Sequence, residues 1–275
     1  MTEVTLRPFA GSEDDHACVE LQKETWGADF EERVPASVIK VTRRIGGVAA
    51  GAFDSAGRMV GFVLGFTGVR GGRPVHWSKM LAVRPEARDL GLGRRLKLYQ
   101  RELLLALGVE EAEWSYDPLE ARNAHLNLNR LGAEPIEYVE SMYGDDIGSE
   151  LARGIGTDRF IVSWKIAGER TAAALAGRLP EDSERFAAAP VVNDAADLPE
   201  APRVRVEIPR SIQDLKTADP EAAPRWRQST RRALQHYLAA GYRVTAFLPG
   251  LATGRCFYGL GKGPDAANSP VSAAE

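Results

Sequence analysis

Apolar and polar positions follow strand-like and helix-like periods in turn over the first 167 residues of the chain. The β-rich runs predict strands at 4–10, 48–54, 58–69, 75–83, 109–117, 135–143 and 158–167. The 3.6-residue period predicts helices at 12–27, 35–47, 93–108 and 119–132. The element order is therefore β-α-α-β-β-β-α-β-α-β-β, which indicates an α/β fold (α+β, with a mixed sheet) whose helices pack on the sheet.

The pattern changes after residue 167. Residues 168–202 are rich in Ala, Pro, Asp and Glu, a composition typical of a solvated linker with room for a short helix. Residues 203–262 predict a strand, a helix that begins at residue 225 and two further strands, a smaller C-terminal α/β unit. Because a unit of this size has only a weak hydrophobic core, we expect it to dock on the first domain, 1–167, or on a partner subunit. Residues 263–275 predict a disordered tail.

Charge and composition exclude several classes of protein. Lys plus Arg is 35 and Asp plus Glu is 38, so the net charge of −3 gives no basic field for nucleic acid. The start of the chain predicts no signal peptide, and no apolar run is long enough for a membrane span. The two cysteines and four histidines have no ligand spacing, so we expect no metal. A cytoplasmic protein is expected.

One basic cluster lies on the helix predicted in the C-terminal unit. Its members are Arg225, Arg227, Arg231 and Arg232. The apolar stripe beside them, which includes Trp226, predicts a docking helix whose arginines face solvent, without a role in nucleic-acid binding.

The segment MLAVRPEARDLGLGRRL, residues 80–96, joins a predicted strand to a predicted helix by a short loop. The strand ends at Val83, and Gly91 and Gly93 allow a ligand to approach the backbone closely. The helix N-terminus presents unpaired N–H groups and the positive end of the helix dipole. Three arginines add charge at the same corner: Arg88, Arg94 and Arg95. The segment therefore predicts an anion site.

Two nucleotide-binding motifs do not fit this corner. A dinucleotide fingerprint needs a third glycine where Leu96 stands, and a P-loop needs Lys and Ser or Thr after Gly93. The order [R/Q]xxGxG, between a VxPxxR strand end and a helix, instead resembles the acyl-CoA signature of the GNAT N-acyltransferase superfamily. The element order over residues 3–167 is also similar to the GNAT fold. A merely structural role for both glycines would leave the three arginines unexplained.

The resemblance implies where acyl-CoA binds. In GNAT folds the strands that correspond to WSKMLAV and EEAEWSYD splay apart, and the pantetheine arm pairs with exposed backbone in the gap, here at Leu81, Ala82 and Val83. The pyrophosphate would then bind the amides of Leu90, Gly91, Leu92, Gly93, Arg94 and Arg95. Asn123 matches an asparagine that faces the pantetheine or thiol end. The implied co-substrate is acetyl-CoA or another acyl-CoA.

A narrower resemblance concerns a bacterial subgroup of GNAT proteins with a C-terminal extension. The segments QRELLLALG, SYDPLEARNAHLNLNRLGA, MYG and GTDRFIVSW carry it, together with VEIP, WR and GY further on. Some members of this subgroup acylate amino acids, including with succinyl groups. The resemblance implies that an amino acid is among the candidate acceptors. A small amine is expected because the helical N-terminal segment and the C-terminal unit could enclose a pocket, and a homodimer is a possible assembly.

The chain departs from the family at two catalytic positions. Where many GNAT proteins have a Glu base and a Tyr acid, this chain has Trp77 and Leu128. We therefore take Asp117 as the first candidate for proton transfer, because it ends the splayed strand. The alternative is that Asp117 caps the helix that follows Pro118. The other candidates are Tyr116, which the strand alternation directs to the opposite face and so favours as a core residue, and His76.

Substrate contacts are predicted at the ends of the last two strands of the first domain and in the preceding helix. Arg159 would suit a carboxylate on the acceptor or acyl group, or could instead pair with Asp158 on the surface. Tyr143 and Asn127 are further candidates. The sequence thus predicts an acyl-CoA-dependent N-acyltransferase. The alternative is a non-catalytic acyl-CoA-binding or sensor protein, which the substitutions at Trp77 and Leu128 favour.

Overall fold

The computed structural model describes residues 4–144, 146–179, 184–193, 195, 197–250 and 254–262. Its strands are β1 (Thr5–Pro8), β2 (Val48–Phe53), β3 (Met59–Arg70), β4 (Arg73–Val83), β5 (Glu111–Tyr116), β6 (Glu134–Val139), β7 (Arg159–Lys165), β8 (Arg203–Ile208), β9 (Arg243–Leu248) and β10 (Cys256–Gly261). Its α-helices are α1 (Ser12–Trp26), α2 (Ala36–Arg44), α3 (Leu92–Ala106), α4 (Ala121–Ala124), α5 (Glu169–Leu175), α6 (Ile212–Ala218) and α7 (Ala222–Ala239). A 3-10 helix, Pro85–Leu90, precedes α3, and a π-helical segment, His125–Arg130, continues α4.

Seven strands form one mixed sheet in the order β1-β2-β3-β4-β5-β7-β6. The strands β1 to β4 are antiparallel neighbours, whereas β4 and β5 are parallel. A second sheet, β8-β10-β9, is antiparallel throughout. The predicted α/β class with a mixed sheet and a smaller C-terminal α/β part is therefore confirmed, and the predicted element order is found along the chain.

Contacts group the chain into two compact units. The described residues of unit 1 fall in 1–115, 143–153 and 162–172, and those of unit 2 fall in 116–142, 154–161 and 173–275. The division into domains made from the sequence stays a prediction. The tail predicted at 263–275 lies outside the described residues.

The core of unit 1 forms where α1 and α2 cover the antiparallel part of the sheet. Leu21 of α1 and Ile39 of α2 are fully buried in a cluster with Phe62 and Leu64 of β3. A polar side chain inside this core can be hydrogen-bonded to the backbone, which burial favours. The amide of Gln22, for example, both donates to the Val34 carbonyl at 3.2 Å and accepts from the Val34 N–H at 2.7 Å.

The hairpin of β3 and β4 contains a β-bulge. Leu64 pairs with Met80 and Phe66 pairs with Trp77, so two residues of β4 lie opposite the single residue Gly65. A β-bulge bends its strand and interrupts pairing locally. A Cβ at Gly65 would lie 2.6 Å from the carbonyl oxygen of Trp77, so only glycine allows the two strands to approach here.

The helix α7 begins earlier than predicted, the short helix α6 was not predicted, and the predicted linker contains the short helix that its composition allowed. The predicted start at 225 follows Pro224, but the structure places that proline in the first turn, where its missing N–H is not needed. The helix α6 begins after Ser211, whose Oγ accepts from the Asp214 N–H at 3.2 Å. In the predicted linker, α5 is formed and Phe186 is fully buried.

Candidate active site

The parallel strands β4 and β5 separate soon after they meet. Their register is limited to two pairs, His76 with Ala112 and Trp77 with Glu113, among the residues that the structure describes. The bulge of β4 follows directly, at residues 78–79. The divergence that the GNAT resemblance implies is therefore present in this chain.

The edge of β4 beyond the bulge offers backbone groups to this gap. The Arg84 N–H donates to the Val60 carbonyl of β3 at 2.9 Å, which continues the β3–β4 ladder. Because N–H and C=O groups alternate in direction along a strand, those of Ala82 face β3, while those of Leu81 and Val83 face the gap. Two of the three residues predicted to contact pantetheine, Leu81 and Val83, thus have backbone groups that face the gap, and the contacts themselves stay a prediction.

The predicted anion corner consists of the 3-10 helix and the start of α3. Gly91 joins them with a φ of 65°, a left-handed conformation that favours glycine. The first intrahelical bond runs from the Arg95 N–H to the Gly91 carbonyl at 3.1 Å. The N–H groups of Leu92, Gly93 and Arg94 therefore precede the helical hydrogen bonds and are suited to an anion.

The arginines of this corner differ in their surroundings. Arg88 is exposed, and its Nε lies 3.4 Å from the Val83 carbonyl, so its guanidinium stands next to the end of β4. Arg95 donates from Nη2 to the Val4 carbonyl at 3.0 Å. Arg94 is half-buried and Leu90 is exposed. The residues present fit the diphosphate of CoA, with Arg88 as the exposed cation.

On one face of the gap, four side chains from separate segments meet. The Tyr143 hydroxyl lies 2.9 Å from Ser115 Oγ of β5, and the Lys79 Nζ of β4 lies 5.1 Å from the centre of the Tyr143 ring. Lys79 also donates to Glu32 at 2.7 Å. Sequence reasoning missed Glu32, which lies between α1 and α2 in no motif.

The opposite face of β4 holds His76 in the interior. Its Nε2 accepts from the Gln100 amide at 3.0 Å, and its Nδ1 lies 3.0 Å from Thr67 Oγ1. Burial, with a smaller effect of the Lys97 charge, lowers the pKa of His76 to about 3. The imidazole is therefore neutral and its two nitrogens are occupied, which argues against a role in proton transfer.

The two other proton-transfer candidates lie in unit 2. Tyr116 is buried, its hydroxyl is 3.2 Å from that of Tyr258, and burial raises its pKa. Asp117 uses both carboxylate oxygens: Oδ1 accepts from the Leu119 N–H at 2.8 Å, and Oδ2 accepts from Arg227 Nη2 at 2.6 Å. The bond to Leu119 closes a turn at Asp117, whereas α4 begins at Ala121 with Glu120 as its N-cap, so the alternative that Asp117 caps this helix is wrong.

The remaining candidates in unit 2 have mixed surroundings. Arg159 Nη1 lies 3.7 Å from Asp117 Oδ2 and donates to the Asp158 carbonyl, while the Asp158 carboxylate pairs with Arg231. Asn123 is exposed on α4, and Asn127 is buried in the π-helical segment. The Arg159 guanidinium therefore lies close to Asp117. The Asp158 carboxylate, which was considered as an ion-pair partner of Arg159, pairs with Arg231 instead.

The predicted solvent-facing arginines of α7 are partly a wrong prediction. Arg227 is only 4% exposed, and its Nε donates to the Ile155 carbonyl at 2.7 Å. Arg225 is exposed, as expected. Arg227 lies four residues after Ala223 and three before Thr230, which are both buried, so it is on the buried face of α7.

The described residues contain neither a metal-ligand group nor a membrane-spanning helix. No three His, Cys, Asp or Glu side chains of this part are grouped as metal ligands. No helix in the same part combines the length and apolar character that crossing a bilayer requires.

Comparison with known proteins yields matches at the level of solved structures. No protein-family model and no curated protein matches the chain. A chain of the NatC complex bound to Gag peptide and CoA is 14% identical, with a TM-score of 0.48 over 59% of this chain and 98% of its own. The Escherichia coli ribosomal-protein-S18-alanine N-acetyltransferase is 18% identical, with a TM-score of 0.46 over 61% and 97%. A Sinorhizobium meliloti phosphinothricin acetyltransferase in complex with AcCoA is 21% identical, with a TM-score of 0.47 over 59% and 88%.

Proposed function

We propose that this chain, which has the fold of the GNAT N-acyltransferase superfamily, transfers an acyl group from an acyl-CoA to an amine. The observation that carries the proposal is the divergence of β4 and β5, followed at once by a glycine-containing turn and the N-terminus of α3. An opening between paired strands beside an anion corner suits a ligand with an extended amide arm and a diphosphate. Acyl-CoA has both.

The proposed binding mode uses the backbone more than side chains. The amides of pantetheine would pair with the groups of Leu81 and Val83 that face the gap. The diphosphate would accept from the first N–H groups of α3 and from Arg88, which adds the charge of its guanidinium. The acyl group, acetyl or succinyl, would then lie near the bulge of β4.

Direct transfer needs two proton movements. The amine loses a proton as its nitrogen bonds to the thioester carbon, and the sulfur gains one as the C–S bond breaks. We assign the second proton to Tyr143, whose hydroxyl stands beside β5 at the gap. The Lys79 ammonium near its ring and the Ser115 hydroxyl would stabilise the phenolate that forms, which then regains a proton from solvent.

The proposed acceptor is a small amine, with an amino acid among the candidates. The Glu32 carboxylate, paired with Lys79 at 2.7 Å, supplies a negative charge suited to an ammonium or to its proton. A role of Arg159 in binding a substrate carboxylate also stays a proposal. Its guanidinium lies 3.7 Å from Asp117, so such a carboxylate would compete with that pair.

Arg88→Ala should weaken CoA binding by roughly 10- to 150-fold, because a hydrogen bond to a charged group is worth about 1.5–3 kcal/mol. Isothermal titration calorimetry with CoA measures this change. Arg153→Ala is the matched control, since this exposed arginine lies away from the corner and is 3.9 Å from its partner Glu150. Equal CoA affinity in both variants and the unmodified protein would contradict the proposed corner.

Tyr143→Phe should lower kcat by about 10²-fold or more, the lower end for a positioned proton-transfer group. Release of free thiol from acetyl-CoA and succinyl-CoA, tested against a panel of amines, measures turnover. Tyr99→Phe is the control, because it removes a half-buried hydroxyl from α3. Unchanged kcat in Tyr143→Phe would remove the assignment of this hydroxyl.

A non-catalytic acyl-CoA sensor is the second candidate. Leu128 is 1% exposed and offers no proton donor, and Trp77 replaces the usual base. The same amine panel separates the two functions. Acyl-CoA binding by calorimetry without thiol release for any acceptor would favour the sensor.

A further inference from the structure

A buried lysine lies beneath the point where β4 and β5 separate. Lys97 of α3 is 2% exposed, and its Nζ donates to Ser78 Oγ in the bulge of β4 at 2.8 Å. The same nitrogen lies 3.6 Å from the centre of the Trp114 ring on β5. Ser78 and Trp114 each follow directly after the last β4–β5 pair, Trp77 with Glu113. Lys97 thus connects the two strands where their backbone pairing ends.

Lys97 belongs to a hydrogen-bond chain that fixes the bulge. Its Nζ also donates to Gln100 Oε1 at 3.1 Å, and Ser78 Oγ lies 3.1 Å from the same oxygen. The Gln100 amide nitrogen in turn donates to His76. Each donor along this chain of hydrogen bonds has an acceptor, so side chains of α3 fix the position of the bulge in β4.

The position of Lys97 is costly for stability alone. Among the described residues, no carboxylate forms an ion pair with it, and burial lowers its pKa well below the usual value. An apolar side chain such as leucine would fill this site without a desolvation penalty. A buried lysine at a gap that we assign to the thioester therefore points to a role in the reaction.

We propose that Lys97 is a positioning residue that sets the geometry of the gap at the level of the thioester, acting through Ser78 and Trp114. This inference rests on the proposed acyltransferase function. Lys97 makes no contact with acyl-CoA in this proposal. It holds the bulge so that the backbone of β4 presents the thioester to the amine, and it links the strand to the helix that binds the diphosphate.

The test is Lys97→Met, which keeps an apolar stem about as long as that of lysine up to its ε carbon but removes Nζ, and with it both hydrogen bonds and the contact with the Trp114 ring. We expect kcat to fall about 10- to 100-fold, because small displacements of reacting groups have effects of this size. The KM for acyl-CoA and the Kd for CoA should stay within about threefold, since the diphosphate corner is untouched. Ser78→Ala should lower kcat to a similar degree, and the double variant should be no slower than the slower single variant, because both substitutions remove the bond between Lys97 and Ser78.

Leu104→Val is the control for damage to the core, since Leu104 is fully buried on the same helix. It should lower the melting temperature and leave kcat unchanged. If Lys97→Met does not fold, Ser78→Ala alone decides, because it removes the same bond from the strand side. A kcat within twofold of the unmodified protein in the folded variants would overturn the proposal, as would a Kd for CoA raised tenfold at unchanged kcat. Absence of CoA binding or turnover in the unmodified protein would instead refute the proposed function.

Discussion

Asp117→Asn is expected to lower the free energy of unfolding by about 3–5 kcal/mol, because it breaks a buried ion pair and leaves a guanidinium uncompensated. Asp117 is 12% exposed and Arg227 only 4%. The asparagine could still accept from the Leu119 N–H, so the turn that precedes α4 would be kept. Two cations, Arg227 and Arg159, would then face a neutral amide. Urea unfolding at pH 7 measures the change.

Asp219→Asn is the matched control, because this carboxylate is half exposed and lies 3.6 Å from the exposed Arg225. It should change the free energy of unfolding by less than about 1 kcal/mol.

The catalytic role of Asp117 stays a prediction and is tested by a separate measurement. A kcat reduced by about 10²- to 10⁴-fold in the folded variant, at unchanged CoA affinity, would support proton transfer. Near-normal kcat with reduced stability would leave Asp117 as the anchor of Arg227.

The periodicity of the sequence predicted most helices and strands, because the formation of each one is governed by residues close together in the chain. The stripe that defines α3 and the glycine turn at Gly91 are local signals, and the structure contains both. The start of α7 was missed because a proline ordinarily ends a helix, whereas Pro224 lies in a first turn. The 3-10 helix before α3 gave no periodic signal, since it is only six residues long.

The side chains of the site were harder to predict because they meet through tertiary structure. Glu32 and Lys79 are 47 residues apart, and Asp117 and Arg227 are 110 apart. No local pattern relates such positions. For Lys97 the local pattern is misleading, because a lysine in a helix rich in Arg and Lys indicates a solvent-facing position. Only its contacts with Ser78 and Trp114 in the structure show that it is buried.

Asp158 forms a second buried anchor on α7. Its carboxylate is fully buried, and it accepts from Arg231 Nε at 2.8 Å and Nη2 at 2.7 Å. The Tyr138 hydroxyl and the Ser141 N–H also donate to it. Burial acts to raise the pKa of Asp158, but the hydrogen bonds from Arg231 and Tyr138 outweigh it and hold the pKa below its usual value.

Asp158→Asn should therefore destabilise the chain by about 3 kcal/mol at pH 7, the lower end for a buried pair, because Arg231 is 27% exposed. The folded pKa lies below the unfolded value of about 3.9, so the carboxylate stabilises the fold fully above about pH 5 and loses this effect as the pH falls. The difference in unfolding free energy between the two proteins should shrink steadily from about pH 5 downward. Urea unfolding at a series of pH values measures it, with Glu140→Gln as the control, because Glu140 binds the same arginine and is 47% exposed. A difference that stays constant to pH 3 would show that the charge of Asp158 contributes nothing and that its shape alone matters.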